Sequence, residues 1–181
     1  MRALVVYESM FGNTRTIAEA IAEGLGGDPG AQVLGVGDAG PSALEHADLL
    51  VVGGPTHARG MSRPATRRDA PKQVRKPGSD LVLEPGADSG PGVREWLDSL
   101  GDLPIQSAAF DTRISGSQAL TGRASKGISK ALSRRDSAPV VPAESFLVDR
   151  SGHLLPGERD RAMAWGARIA GMAQHNHAVR R

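Results

Sequence analysis

The chain has 181 residues, no cysteine, and a formal net charge of +2 from 22 basic and 20 acidic side chains. That length supports one domain with a real core, and the lack of cysteine excludes disulfides and thiolate chemistry. No apolar run approaches the ~20 residues that a membrane helix needs. Met1-Arg2 leads directly into a strand pattern with no signal-peptide pattern, so a soluble, cytoplasmic protein is expected.

The most informative stretch comes first. Ala3 to Tyr7 is an apolar run, Ser9-Met10-Phe11-Gly12-Asn13-Thr14 is a tight polar loop, and Ile17, Ala18, Ile21, Ala22 and Leu25 repeat at helical spacing. Strand, loop and helix in that order make an anion site. The first N–H groups of a helix lack intrahelical partners, and the helix dipole adds positive potential there. Ser9, Asn13 and Thr14 supply further donors, and Gly12 lets the backbone approach. The plainer reading is an ordinary capped helix start, since Asn and Thr are common N-caps.

Gly26 to Gly30 reads as a loop, Ala31 to Val36 as a second strand, and Pro41 to His46 as a short helix. Leu49 to Val52 is continuously apolar, which suits a strand covered on both faces of a parallel sheet. Gly53-Gly54-Pro55-Thr56-His57-Ala58-Arg59-Gly60 follows as a shaped loop at that strand's carboxyl end. Residues 61–92 are rich in Pro, Gly and charge and read as a long, partly mobile surface excursion.

Gly92 to Gly101 gives a helix with Val93, Trp96, Leu97 and Leu100 on one face. Ile105 to Phe110 is a fourth strand, and Asp111 to Ser117 the loop at its carboxyl end. Gly122 to Arg135 reads as a helix. Val140-Val141 and Glu144 to Val148 form a fifth strand broken at Pro142. Gly157 to Gln174 is the last helix, with Ala162, Trp165, Ile169 and Met172 as its stripe, and His175, His177, Arg180 and Arg181 belong to a short C-terminal tail.

Five strands alternating with helices predict a single α/β domain, residues 1–181. Right-handed crossovers favour a doubly wound three-layer sandwich around a parallel sheet, and the order 2-1-3-4-5 places a ligand beside strands 1 and 3. The loops at Ser9–Thr14, Gly54–Gly60 and Asp111–Ser117 would then meet.

Basic residues cluster twice, at Arg59, Arg63, Arg67, Arg68, Lys72, Arg75 and Lys76, and at Arg123, Lys126, Lys130, Arg134 and Arg135. Both read as solvated surface. With three Phe, two Trp and one Tyr, the chain lacks the interleaved aromatics of a base-stacking platform, so no nucleic-acid partner is expected. Gly35-Val36-Gly37-Asp38-Ala39-Gly40 spells G-x-G-x-x-G, but it follows the second strand and lacks a ribose-binding acid about 20 positions on. No P-loop, G-x-S-x-G or H-E-x-x-H motif occurs.

The three loops carry a family resemblance. Ser9-Met10-Phe11-Gly12-Asn13-Thr14, directly after the first strand, resembles the phosphate loop [ST]-x-x-G-x-T of the flavodoxin family. Gly53-Gly54-Pro55-Thr56-His57 resembles that family's second flavin loop, and Phe110-Asp111-Thr112-Arg113 stands where the third belongs. The resemblance implies FMN as cofactor. Ser9, Met10, Phe11, Gly12, Asn13 and Thr14 would form the loop that holds its phosphate. Pro55, Thr56 and His57 would flank one side of the ring system, and Asp111, Thr112 and Arg113 would border the other. Backbone groups of the second loop would meet the flavin N5, with the glycines letting a peptide reorient.

Two departures stand out. The third loop offers no aromatic to stack on the flavin, and the chain is basic, with a sequence pI near 9.4, where flavodoxins are typically acidic. The resemblance implies an FMN-binding redox protein carrying electrons between a reductase and an acceptor, with no catalytic side chain. Positive charge from Arg59 and Arg113 would raise the flavin's reduction potential. A flavin-dependent quinone or NAD(P)H oxidoreductase is the alternative, and a flavin-poor binding or regulatory module on the same fold is a third reading.

Overall fold

The computed structural model describes residues 1–26 and 30–179. The centre of the predicted loop at Gly26–Gly30, and the terminal Arg180 and Arg181, lie outside the described residues. The elements run β1 (Ala3–Tyr7), α1 (Asn13–Leu25), β2 (Gln32–Gly35), α2 (Pro41–Leu44), β3 (Leu49–His57), β4 (Gly60–Met61), α3 (Pro64–Arg68) and α4 (Ala70–Val74). They continue as α5 (Val93–Ser99), β5 (Gln106–Ile114), α6 (Gln118–Thr121), α7 (Ala124–Ser133), β6 (Ala138–Pro139), β7 (Glu144–Val148) and α8 (Glu158–Val179).

The main strands lie parallel in the order β2-β1-β3-β5-β7, as the alternation of elements predicts. β6 pairs with Gln106 and Ser107 at the start of β5, and β7 with Phe110 to Ile114 at its end. The edge strand is therefore broken as expected, but its first piece is Ala138–Pro139. Val140 continues the pairing through its N–H to the Ser107 carbonyl at 2.9 Å, and Val140 and Val141 are buried at 6% and 7% exposure.

Alternation along the strands divides the core in two. Val5, Val51, Ala108 and Phe110 pack against α1 and α8, while Leu4, Val6, Leu50, Val52 and Ala109 pack against α5 and α7. The sheet is covered on both faces, so Leu4 to Val6 of β1 and Leu49 to Val52 of β3 are apolar on both sides. Within the first layer Phe110, Phe146 and Trp165 meet edge to face, with ring centroids 6.0–6.4 Å apart.

Four expectations need correction. β3 and β5 run on through the stretches read as loops, because Gly53, Gly54 and Pro55 pair in register with Phe110, Asp111 and Thr112. Gly53 serves packing here, since a Cβ at this position would lie 2.0 Å from the Phe110 ring. Residues 61–92 hold β4, α3 and α4, and the segment is anchored, with Ser62, Arg67 and Ala70 buried. In α8, Ala173 rather than Met172 completes the buried stripe; Met172 is 41% exposed. The same helix continues through His175 and His177 to Val179, where a tail was expected.

α1 and α8 approach through glycine. A Cβ on Gly24 would fall 1.9 Å from the Met163 carbonyl oxygen, and one on Gly166 would fall 2.2 Å from that of Ile21. Gly166→Ala should therefore cost about 1–3 kcal/mol through overpacking and lower the thermal midpoint. Gly171→Ala in the same helix meets nothing within 4 Å and should gain roughly 0.5–1 kcal/mol in helix propensity. Circular-dichroism melts of the two variants read these opposite signs.

Candidate functional site

The carboxyl ends of β1, β3 and β5 open into a cavity of about 430 Å³, within the ~300–1,000 Å³ range of small-molecule sites. Phe11 and Asn13 line it from the first loop, Pro55, Thr56 and His57 from β3, and Thr112, Arg113 and Ile114 from β5. Lys76 to Leu81 and Val148 to Gly152 form the facing wall.

The other predicted residues support this lining from behind. Gly12 is the N-cap of α1 at φ 88°, in the left-handed region where other residues are strained. Its N–H donates to Ser9 Oγ at 3.1 Å, closing the loop on itself. Met10 is a core residue at 2% exposure. Thr14 is equally buried, and its hydroxyl lies 2.7 Å from that of Thr112. Asn13 Nδ2 donates to the Gly152 carbonyl, tying the loop to the far wall. The first-turn N–H groups of α1 remain for an anion, because a helix start leaves them without intrahelical partners.

Asp111 does not line the cavity. It is fully buried within β5, and its Oδ2 accepts from Thr56 Oγ1 at 3.0 Å and from the Ser125 N–H at 2.8 Å. It fastens β3 and the start of α7 to β5, and it does not pair with Arg113. Arg113 is also a strand residue, 7% exposed. Its Nη1 donates to the carbonyls of Ile114 and Gly116 and to Thr121 Oγ1 at 3.0–3.2 Å, folding α6 back over the strand end. Its Nε has no hydrogen-bond partner.

The second loop is a hairpin. Thr56 and His57 pair antiparallel with Met61 and Gly60 across a turn at Ala58 and Arg59, whose φ values are 45° and 72°. Such turns normally take Asn or Gly, so local backbone strain sits at the cavity edge. The glycines expected to supply freedom here, Gly53 and Gly54, are instead fixed in the ladder. Burial, with Arg67 nearby, holds the His57 pKa below its usual value, so the ring is neutral at neutral pH.

Beneath the loops lies a charged cluster that the sequence did not reveal. Glu8 Oε2 accepts from the Val93 N–H at 2.7 Å, Arg67 Nη1 donates to Ser62 Oγ at 3.0 Å, and Arg67 Nη2 pairs with Glu95 at 2.9 Å. Burial raises the Glu8 pKa above the ordinary carboxylate range. Gly92 lies against this cluster; a Cβ there would fall 2.2 Å from Arg67 Nη1. Glu84 is the other residue missed. Its N–H donates to the Met10 carbonyl at 2.8 Å, and its carboxylate pairs with Arg15 at 3.0 Å, 4.0 Å from where a Gly12 Cβ would stand. No spacing in the sequence signals either cluster, because each joins β1 or α1 to the 61–92 excursion.

Residues 5–70 match the flavodoxin family model. Over its length the chain superposes on a flavodoxin from the domain Archaea, with a TM-score of 0.64, 21% identity, and coverage of 97% of this chain and 100% of that one. The fold is flavodoxin-like. A WrbA-like flavodoxin from Agrobacterium tumefaciens gives a TM-score of 0.61 at 21% identity, covering 96% and 98% of the two chains. Flavodoxin 1 from Bacillus cereus gives 0.61 at 19%, covering 94% and 98%. No curated protein sequence matches. The family match spans the first two flavin-loop positions of this flavodoxin-like chain, and the superpositions extend the fold over the third.

Donors, cavity size and the partnerless Arg113 Nε fit an anionic, ring-bearing ligand such as FMN. The Glu84 carboxylate beside Gly12 opposes it. Glu84→Gln should therefore tighten binding of a phosphate monoester severalfold, read as the FMN dissociation constant by calorimetry. An unchanged constant would place the phosphate away from this loop.

Proposed function

We propose that this chain binds FMN in the cavity and carries electrons between a reductase and an acceptor. One observation supports this reading above the others: the loop after β1 and the ends of β3 and β5 line a single space, with an open helix start at one end and a buried guanidinium at the other. FMN is the ligand of flavodoxins. The first-turn amides of α1, with Ser9, Gly12, Asn13 and Thr14, would hold its phosphate. Pro55, Thr56 and His57 would lie along one side of the ring system, with Thr112 and Arg113 along the other.

When bound, the flavin supplies the electron chemistry; the protein supplies position and electrostatics. His57, neutral at neutral pH, can donate one hydrogen bond without adding charge. Arg113 is held in place by three acceptors and stabilises negative charge at its end of the cavity. Among the described residues, Phe11 and His57 are the only aromatic side chains in the lining. A missing aromatic stack forgoes about 0.5–1.5 kcal/mol, so affinity about tenfold below that of a stacked site is expected.

A quinone or NAD(P)H oxidoreductase using the same cavity is the second reading. Steady-state turnover of NADPH with a soluble quinone separates the two: a carrier shows negligible turnover without a partner protein. For the carrier, Arg113→Met should lower the one-electron midpoint potentials of the bound flavin, about 59 mV for each 1.4 kcal/mol of lost stabilisation. Spectroelectrochemical titration reads that shift, and an unchanged potential would remove Arg113 from the electrostatics of the site.

A further inference from the structure

The cavity mouth joins exposed apolar side chains to exposed cations. Ile114, which lines the cavity, is 50% exposed, and Leu120 on the neighbouring α6 is 71% exposed. Thr121 ties α6 to Arg113, and a bridge between Arg59 and Gly122 ties it to the β3–β4 turn. The two aliphatic side chains thus stand on one rigid rim. Arg59 is exposed on that turn, while Lys76 and Arg150 are exposed in the facing wall.

Two acids share the rim and are tied within its wall: Asp80 lies 3.2 Å from His153 Nε2, and Asp149 accepts the His153 and Ser151 N–H groups, which hold its pKa below the usual range and keep it ionised. The exposed cations Arg59, Lys76 and Arg150 outnumber them. Arg75, next to Lys76 in sequence, is exposed, as are Arg68 and Arg63 earlier in the same excursion, while Lys72 is paired with Asp69.

We infer that this rim is the docking surface for an acidic electron-transfer protein, whose carboxylates meet Arg59, Arg75, Lys76 and Arg150 and whose apolar centre covers Ile114 and Leu120. The inference rests on the flavin-carrier reading and adds the partner's polarity. An apolar centre within a charged rim is the anatomy of a protein interface, and complementary charge speeds encounter and sets orientation. A single-stranded nucleic acid is held by aromatic faces among the cations; Ile114 and Leu120 offer none.

The test uses full-length protein, with and without FMN, against a fluorescently labelled acidic [2Fe–2S] ferredoxin, read by anisotropy over a range of salt. Basic cytochrome c and a single-stranded oligonucleotide serve as comparison probes. The ferredoxin should bind, lose affinity steeply with salt, and lose it at least tenfold in the Arg59→Glu, Arg75→Glu double variant. Arg134→Glu, at the end of α7 remote from the cavity, should bind as the parent does. Cytochrome c should not bind.

No ferredoxin binding, equal losses in both variants, or binding indifferent to salt would each overturn the inference. Oligonucleotide binding that is lost in the double variant, without ferredoxin binding, would reassign the surface to nucleic acid. Because apoprotein is measured alongside, failure to take up FMN registers separately as loss of the flavin reading.

Discussion

The site depends on one buried contact, the 2.7 Å hydrogen bond between the hydroxyls of Thr14 and Thr112. It joins the first turn of α1 to the carboxyl half of β5 across 98 residues of sequence. A helix start is an anion site only if it is held where a ligand can reach it, and here the sheet holds it. Asp111, one residue earlier in β5, performs the matching task on the other side by gathering Thr56 and the start of α7. Adjacent β5 residues therefore fix the relative positions of the loop after β1, the β3 hairpin and α7. A buried hydrogen bond whose partner is removed costs roughly 1–3 kcal/mol, so these contacts bear on the stability of the fold as well as on the shape of the cavity.

The scarcity of aromatics at the cavity follows from where they are used. Phe110, Phe146 and Trp165 form the triangle beneath the sheet, and Trp96, on the opposite face, donates its Nε1–H to the Ala39 carbonyl at 2.7 Å. Phe110 in turn requires Gly53 beside it, which locks the strand that a freer glycine loop was expected to form. The left-handed backbone falls instead at Ala58 and Arg59, beyond the paired strand. The charge on the excursion is likewise divided. Arg67 turns inward to Glu95 and Ser62, while its neighbours face solvent.

Much of this was legible in the sequence. The apolar runs at Ala3–Tyr7 and Leu49–Val52 and the helical stripe from Ile17 to Leu25 pointed to buried strands alternating with helices, for which the order found is one common solution. The Ser9–Thr14 loop marked one end of the cavity. Strand extension was not legible, since Gly53, Gly54 and Pro55 carry the composition of a loop and only pairing with Phe110, Asp111 and Thr112 makes them strand. Asp111 looked like a loop acid and is a buried fastener. Glu8, Arg67 and Glu84 gave no local signal because their partners lie in distant segments.

The central claim is that the helix start and the three strand ends form an FMN site. Isothermal titration of FMN into the native apoprotein, with folding verified by circular dichroism, tests it most directly. One site per chain, with riboflavin binding markedly weaker because it lacks the phosphate, is the predicted result. No heat from FMN in a folded sample, or equal affinity for riboflavin, would contradict it.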